Sequence, residues 1–348
     1  MTNETSTSQL EARHLTRHFS MRSTSGFFGP KRIVRAVDDV SLRLNAGRVT
    51  AVVGESGSGK SVLARMLARI IKPTSGDLIL QGTEIPVQAK RTLDYTSQVQ
   101  LVLQDPFASI NPVHRVRHSL ERPLLIHGAA KSDVDELAAA VLRRVSLEPP
   151  ERFMDRYPHE LSGGQLQRVS IARALCVKPK VLLADEPISM LDVSVRLGLL
   201  NLLRGLCDND QLAILYITHD IASARYLADE TIVMYAGQVV ELSNGTDLID
   251  EPTHPYTQLL IASVPDPADP TRATPAKADH TTQVSIAQVG CRFSPRCPHV
   301  MDVCRTSEPP MFDVGGGHVS RCWLHNTSGE IVDLGLPHTQ RGGTITKK

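Results

Sequence analysis

Gly54-Glu55-Ser56-Gly57-Ser58-Gly59-Lys60-Ser61 is the stretch that decides the fold. Val49-Thr50-Ala51-Val52-Val53 precedes it, a short apolar, β-branched run that reads as a buried strand. Val62 to Ile71 follows, with Leu63, Leu67 and Ile70 at helical spacing. Strand, glycine-rich loop and helix in that order are the context of a phosphate-binding loop. Glycines at 54, 57 and 59 let the backbone turn so tightly that successive N–H groups and the helix N-terminus face one phosphate chain. Ser56 and Ser58 complete the cradle, Lys60 brings a mobile positive charge to the β- and γ-phosphates, and the Ser61 hydroxyl can ligate Mg²⁺. The pattern predicts a protein that binds a nucleoside triphosphate.

Composition sets the bounds. A chain of 348 residues has room for about two domains, and an apolar fraction of 41% supports a real core. A net charge of +1 argues against nucleic acid as a partner, because phosphate backbones demand clustered basic surface. Met1 to Gln9 lacks the basic start and apolar centre of a signal peptide, and no apolar run approaches the length of a bilayer span. These features predict a protein of the cytosol, or one held at a membrane through partners. Cys176 and Cys207 lie alone in apolar helical stretches and read as packing residues. Cys291, Cys297, Cys304 and Cys322 crowd near the C-terminus, where a reducing compartment favours metal over disulfide.

Taken in order, Leu10 to Phe19 reads as a first strand, with further strands at Ile33 to Val37 and Val40 to Leu44. The loop helix is predicted to run to Ile71 and stop at Lys72-Pro73-Thr74-Ser75-Gly76, and Leu78 to Leu80 resumes as strand. Val99 to Leu103 is a strand ending at Gln104, just before Asp105-Pro106. Val113 to Leu147 has helical spacing. Leu161-Ser162-Gly163-Gly164-Gln165 opens another helix, and Val181 to Ala184 is an apolar strand capped by Asp185 and Glu186. Leu212 to Thr218 is a buried strand ending in His219-Asp220, and a hairpin turns at Ala236-Gly237. Alternating strand and helix predict a parallel α/β sheet. Pro265 to Thr282 reads as a linker, rich in Pro, Ala, Asp and Thr.

Five motifs in order, GESGSGKS at 54–61, Gln104 in LVLQDPF, LSGGQLQR at 161–168, VLLADEP at 181–187 and ITHD at 217–220, carry a resemblance. The chain resembles the ATP-binding subunit of ABC transporters. The resemblance implies an α/β P-loop NTPase cassette with a RecA-like core, an antiparallel β subdomain and a helical signature subdomain over residues 1–264. A linker at 265–283 and a small Cys-rich C-terminal extension at 284–348 would follow. It further implies ATP held between two such subunits, with Ser162, Gly163, Gly164, Gln165 and Asp192 acting in trans. Asp185, with Ser61 and Gln104, would hold Mg²⁺. Glu186 would polarise the attacking water, and His219 would bond the γ-phosphate. An aromatic residue stacks on adenine in this family, and Phe19 is the expected one, with Phe27 or Phe28 as the alternative.

Beyond residue 250, His254-Pro255-Tyr256-Thr257-Gln258-Leu259-Leu260 with Val264-Pro265, and Gly290-Cys291-Arg292-Phe293 with Arg296-Cys297-Pro298, are similar to the C-terminal hallmark of peptide- and nickel-importer ATPases. His254 and Tyr256 read as a helix-start packing motif that does no chemistry. Four cysteines spaced C-x5-C-x6-C-x17-C suit a [4Fe–4S] cluster or tetrahedral Zn²⁺, and the resemblance favours the cluster. His299, His318 and His325 read as surface histidines. The implied partners are two membrane permease subunits, a homologous ATPase subunit (as heterodimer or homodimer) and an external solute-binding protein. The implied place is the cytoplasmic face of the cell membrane. The implied cargo is a di- or oligopeptide, with nickel or a glutathione-like solute as the alternative. A soluble cassette working on nucleic acid or ribosomes is disfavoured by the near-neutral charge and by the missing insertion between residues 61 and 161.

Overall fold

The computed structural model describes residues 8–21, 32–86, 90–263, 286–326 and 329–334. Its strands are β1 (Ser8–Met21), β2 (Arg32–Asn45), β3 (Val49–Val53), β4 (Ser75–Leu80), β5 (Thr83–Ile85), β6 (Val99–Val102), β7 (Val181–Asp185), β8 (Ala213–Thr218), β9 (Glu230–Tyr235), β10 (Gln238–Asn244), β11 (Phe312–Gly315), β12 (His318–Ser320) and β13 (Glu330–Ile331). They form two sheets. One is antiparallel, in the order β2-β1-β4-β5, and the other runs β13-β11-β12-β10-β9-β3-β8-β7-β6. Within the second, β6, β7, β8, β3 and β9 are mutually parallel.

β3 is buried along its whole length, and its side chains alternate between two cores. Val49, Ala51 and Val53 join the core beneath the helical subdomain, together with Leu166, Val169 and Leu203. Val52 faces the other way, into a core shared with Leu10, Leu15, Leu44 and Leu63, where the antiparallel sheet packs over the loop helix. The phosphate loop is therefore slung between two packed layers, and its position is set from both sides.

The helical subdomain comprises Val116–Ile126, Val134–Arg144 and Gly163–Leu175. The helical stretch expected from Val113 to Leu147 breaks in the middle, where Gly128 takes φ 92° and reverses the chain. The loop helix ends at Leu67 rather than Ile71, because Arg69 adopts φ 56°. The two strands expected at 33–37 and 40–44 are one continuous strand, β2.

The C-terminal strands join the same sheet. β11, β12 and β13, within the expected C-terminal extension, continue the main sheet, β12 pairing with β10 through Glu241↔Ser320 and Leu242↔Val319. The expected linker, Val264-Pro265, Phe27, Phe28 and the tail past residue 334 lie outside the described residues.

Candidate nucleotide site

Parallel sheets present ligands to the loops at the carboxyl ends of their strands. Here β3, β8, β7 and β6 are neighbours, so the phosphate loop, His219, Asp185-Glu186 and Gln104 emerge side by side along one edge. Ser56, Gly57, Gly59, Lys60 and Ser61 of the loop line a cleft of about 1090 Å³ with Gln104, Glu186 and His219, while Asp185 is not in that lining and meets it through Ser61.

The loop is built for close approach. A Cβ on Gly54 would lie 2.2 Å from the Met234 carbonyl oxygen, and one on Gly59 would lie 2.1 Å from that of Ala36. No larger residue fits at either place. The helix Lys60–Leu67 starts from Gly59 without a side-chain cap and without an acidic residue in its first turn, which leaves its amides and dipole for an anion. Lys60 is buried, and its ammonium donates to the carbonyls of Gly54 at 2.7 Å and Glu55 at 2.9 Å. Burial lowers the affinity of Lys60 for its proton, while the nearby carboxylates of Glu186, Asp185 and Glu55 oppose that fall.

Ser61 donates its hydroxyl to Asp185 at 2.9 Å. Burial raises the Asp185 carboxyl, and the Ser61 bond only partly offsets this. A hydroxyl and a carboxylate in contact, with the Gln104 amide lining the same cleft as Ser61, offer the hard oxygen donors that suit Mg²⁺. Glu186 stands at φ 47° beyond the end of β7, its amide donating to the Ile217 carbonyl at 2.9 Å. That strained backbone aims the carboxylate into the cleft. Gln104 Nε2 donates to Glu186 Oε2 at 2.9 Å, and His219 Nδ1 lies 3.3 Å from Glu186 Oε1. His219 stays exposed in the turn where Asp220 caps the next helix by accepting from the Ala222 and Ser223 amides.

Ser162, Gly163, Gly164 and Gln165 do not line this cleft. Ser162 and Gln165 form a reciprocal capping box: Ser162 Oγ accepts from the Gln165 amide at 3.3 Å, and Gln165 Oε1 accepts from the Ser162 amide at 3.1 Å. Among the described residues the Ser162 hydroxyl donates to no acceptor, and the side chain is exposed. A Cβ on Gly164 would lie 2.5 Å from Val195 Cγ1, so the signature helix packs directly on the helix that follows Asp192. Asp192 itself is exposed.

Phe19 is the residue expected to stack on adenine. It does not line the cleft; the Arg17 guanidinium lies over its ring, 4.6 Å from the centroid. Its neighbour His18 lines the cleft with Ile33 and Val34 of β2, its Nε2 2.7 Å from Asp38 Oδ1. Alternation along the strand puts adjacent side chains on opposite faces.

The four C-terminal cysteines line one small cavity of about 10 Å³ with His254, Phe293 and Trp323. Burial pushes the Cys322 thiol up to about 12 and also raises Cys291 and Cys297. Among the described residues, no three His, Cys, Asp or Glu side chains are placed to hold a metal ion. The expected [4Fe–4S] or Zn²⁺ site is therefore not supported: the donor chemistry is right, but the thiols surround a space for about one water. His318 is also a correction, being buried against Glu241 rather than on the surface. His254 caps the helix Pro255–Ala262, its Nδ1 accepting from the Tyr256 amide at 3.0 Å, and burial lowers it to about 4.

The sequence and the fold each find relatives. The ABC transporter family profile matches residues 37–189, and a profile for the C-terminal region of oligopeptide/dipeptide transporters matches residues 240–304. A peptide ABC transporter ATP-binding protein of Sinorhizobium fredii is 40% identical over 349 residues, covering 97% of this chain and 98% of that one. The di/tripeptide transport ATP-binding protein DppF of Pseudomonas aeruginosa is 40% identical over 305 residues, 87% of this chain and 93% of its own. Among solved structures, cbiO1 of Clostridium perfringens, part of an ABC transporter complex, aligns with TM-score 0.60 and 26% identity over 70% of this chain and 91% of its own. The cassette MJ0796, in a dimer bound to ADP and phosphate, aligns with TM-score 0.58 and 28% identity over 68% of this chain and 98% of its own.

Proposed function

The chain belongs to the family of ABC transporter ATP-binding subunits, and from that premise we propose that it hydrolyses ATP to power import of di- and oligopeptides through a membrane permease. One observation carries the catalytic part. Gln104 and His219 both converge on Glu186, at 2.9 Å and 3.3 Å, at the mouth of the cleft that Lys60 and Ser61 border.

Phosphoryl transfer to water needs positioning and charge neutralisation more than covalent chemistry. Lys60 and the loop amides hold the β- and γ-phosphates. Ser61, Asp185 and Gln104 would hold Mg²⁺, which when bound supplies positive charge across the phosphates. Glu186 accepts a hydrogen bond from the attacking water, and Gln104 keeps the carboxylate turned toward it. His219 donates to the γ-phosphate, where charge redistributes. The backbone at Ser162, Gly163 and Gly164, with the Ser162 hydroxyl, Gln165 and Asp192, acts on the ATP of a partner cassette, either a second copy or a homologous subunit. The outward-facing Ser162 cap and the exposed Asp192 support that reading.

Phe107 is 52% exposed and Val113 is 74% exposed, flanking the segment after Gln104. That apolar ledge suits the cytoplasmic helix of a permease subunit, and two permeases with an external solute-binding protein would complete the transporter at the inner face of the cell membrane. Among the described residues no helix is long and apolar enough to cross a membrane. The peptide reading draws support from the C-terminal profile match and from the names of the relatives. Proteoliposomes holding the chain with its permeases test it: ATP-dependent uptake of a labelled dipeptide is expected. Uptake of Ni²⁺ but not of peptide would overturn it.

As a finer reading we propose that the four cysteines hold a [4Fe–4S] cluster in preference to Zn²⁺, on the chemistry of a four-thiol donor set and the C-terminal resemblance rather than on the size of their cavity. Its thiols must move apart to take the cluster. Anaerobically purified protein with a visible sulfide-to-iron charge-transfer band is expected, and colourless protein free of iron rules the cluster out.

A further inference from the structure

The phosphate loop is gripped from behind by residues more than 200 positions away in the chain. The Glu55 amide donates to the Tyr256 hydroxyl at 2.8 Å. The Glu55 carboxylate takes a two-point ion pair from Arg296, at 2.9 Å and 2.8 Å. Neither contact belongs to the catalytic set, and neither residue lines the cleft.

Both partners are themselves held firmly. Tyr256 is fully buried, its ring centroid 4.6 Å from that of Tyr235 and 5.5 Å from that of Phe293. Arg296 lies over the same cluster, 5.9 Å from the Tyr235 ring and 5.7 Å from the Phe293 ring. The hydrogen bond to Glu55 raises Arg296 above its ordinary value, so it stays charged. A second anchor runs alongside: Arg292 donates to the Ala236 carbonyl at 2.5 Å and pairs with Asp38. Gly237, next to that carbonyl, donates its amide to the Ser58 carbonyl in the loop at 2.9 Å.

The loop therefore has its phosphate-facing amides open on one side and a rigid aromatic-guanidinium brace on the other. A cradle of backbone N–H groups binds an anion well only when those groups converge before the anion arrives, since ordering them on binding subtracts from affinity. We propose that Tyr256 and Arg296 are positioning residues that set the ATP affinity of this cassette by holding Glu55, and with it the Gly54–Lys60 loop, in its phosphate-binding shape. The proposal rests on the reading of the cleft as an ATP site. It assigns the C-terminal region a role in nucleotide binding, separate from any role in metal binding.

The test is equilibrium ATP binding and steady-state hydrolysis by the full-length chain, wild type beside Tyr256→Phe, Arg296→Gln, Glu55→Gln and the double variant Glu55→Gln/Arg296→Gln. Tyr256→Phe keeps the ring packing and removes only the hydroxyl, so it tests the brace even where Arg296→Gln folds poorly. Each of the first two is expected to weaken ATP binding about three- to tenfold, the scale of one hydrogen bond or one half-exposed ion pair. KM should rise in step while kcat at saturating ATP stays within about twofold, because the groups around the attacking water are untouched. In the Glu55→Gln background, Arg296→Gln should add almost nothing. ATP affinity within about 1.5-fold of wild type in Tyr256→Phe and Arg296→Gln, or an undiminished Arg296 effect in that background, overturns the brace while leaving the ATP site standing. A wild-type chain that binds no ATP overturns both.

Discussion

Glu241 offers the sharpest stability prediction. It sits on β10 with no exposed surface, and hydrogen-bond donors converge on its carboxylate. The Thr253 amide reaches Oε1 at 2.7 Å, the Thr253 hydroxyl reaches it at 2.8 Å, and His318 Nε2 lies 2.6 Å from it. The His254 amide reaches Oε2 at 3.1 Å. This one side chain fastens β10 to the start of the helix Pro255–Ala262 and to β12. Burial alone would raise its carboxyl, but the bonds from His318 and Thr253 outweigh that and hold it below the ordinary value. Glu241→Gln keeps the shape and one accepting oxygen, yet turns an amide N–H₂ toward the His254 N–H and removes the charge. The loss of one charge-assisted bond and the orphaned donor together predict a cost of about 2–4 kcal/mol at neutral pH. Urea unfolding of the full-length chain measures it, and hydrogen exchange of the β12 amides should quicken in parallel. The sign with pH follows from the lowered carboxyl. Its contribution is complete above the ordinary glutamate value of about 4.3 and disappears as pH falls through the folded value, so the gap between wild type and variant should close in acid. A gap under about 0.5 kcal/mol at neutral pH, set against the cost expected for a broken buried network, refutes the reasoning.

Two further substitutions probe the site. Gly164→Ala places a methyl against Val195, which should cost about 1–3 kcal/mol by overpacking and lower ATP turnover; adding Val195→Ala should recover most of both, and a single variant with wild-type melting and turnover contradicts the close packing. Phe19→Ala tests the adenine-stacking expectation: with Arg17 over its ring and no place in the cleft lining, ATP affinity within about twofold is expected, and a tenfold loss in a nucleotide-binding titration would assign the stacking to Phe19.

Local motifs made the residues that line the candidate cleft legible. Each of 54–61, Gln104, 161–165, 185–186 and 219 is a short run at a strand end or helix start, where a few residues dictate both backbone and chemistry. The parallel sheet then brings Gln104, Glu186 and His219 together. Phe19 and His18 differ by register: one position along β1 decides which face of the strand borders the cleft, and His18 holds that position. Tyr256 looked like a packing residue because nothing in its neighbourhood shows that its hydroxyl meets Glu55. The pairs Arg296–Glu55 and His318–Glu241, and the joining of β12 to β10, are likewise long-range and leave no periodic trace in the chain. The cysteine spacing allowed a metal site but carried no information on how far apart the sulfurs stand.

The central claim, that two cassettes close over ATP and that Glu186 directs the water, is tested most directly with Glu186→Gln in the presence of Mg²⁺ and ATP. Light scattering with chromatography should show a stable dimer, or a complex with the homologous subunit, retaining uncleaved ATP, and turnover should fall by about 10²–10⁴-fold. A variant that stays apart from any second cassette and hydrolyses ATP at the wild-type rate contradicts the account.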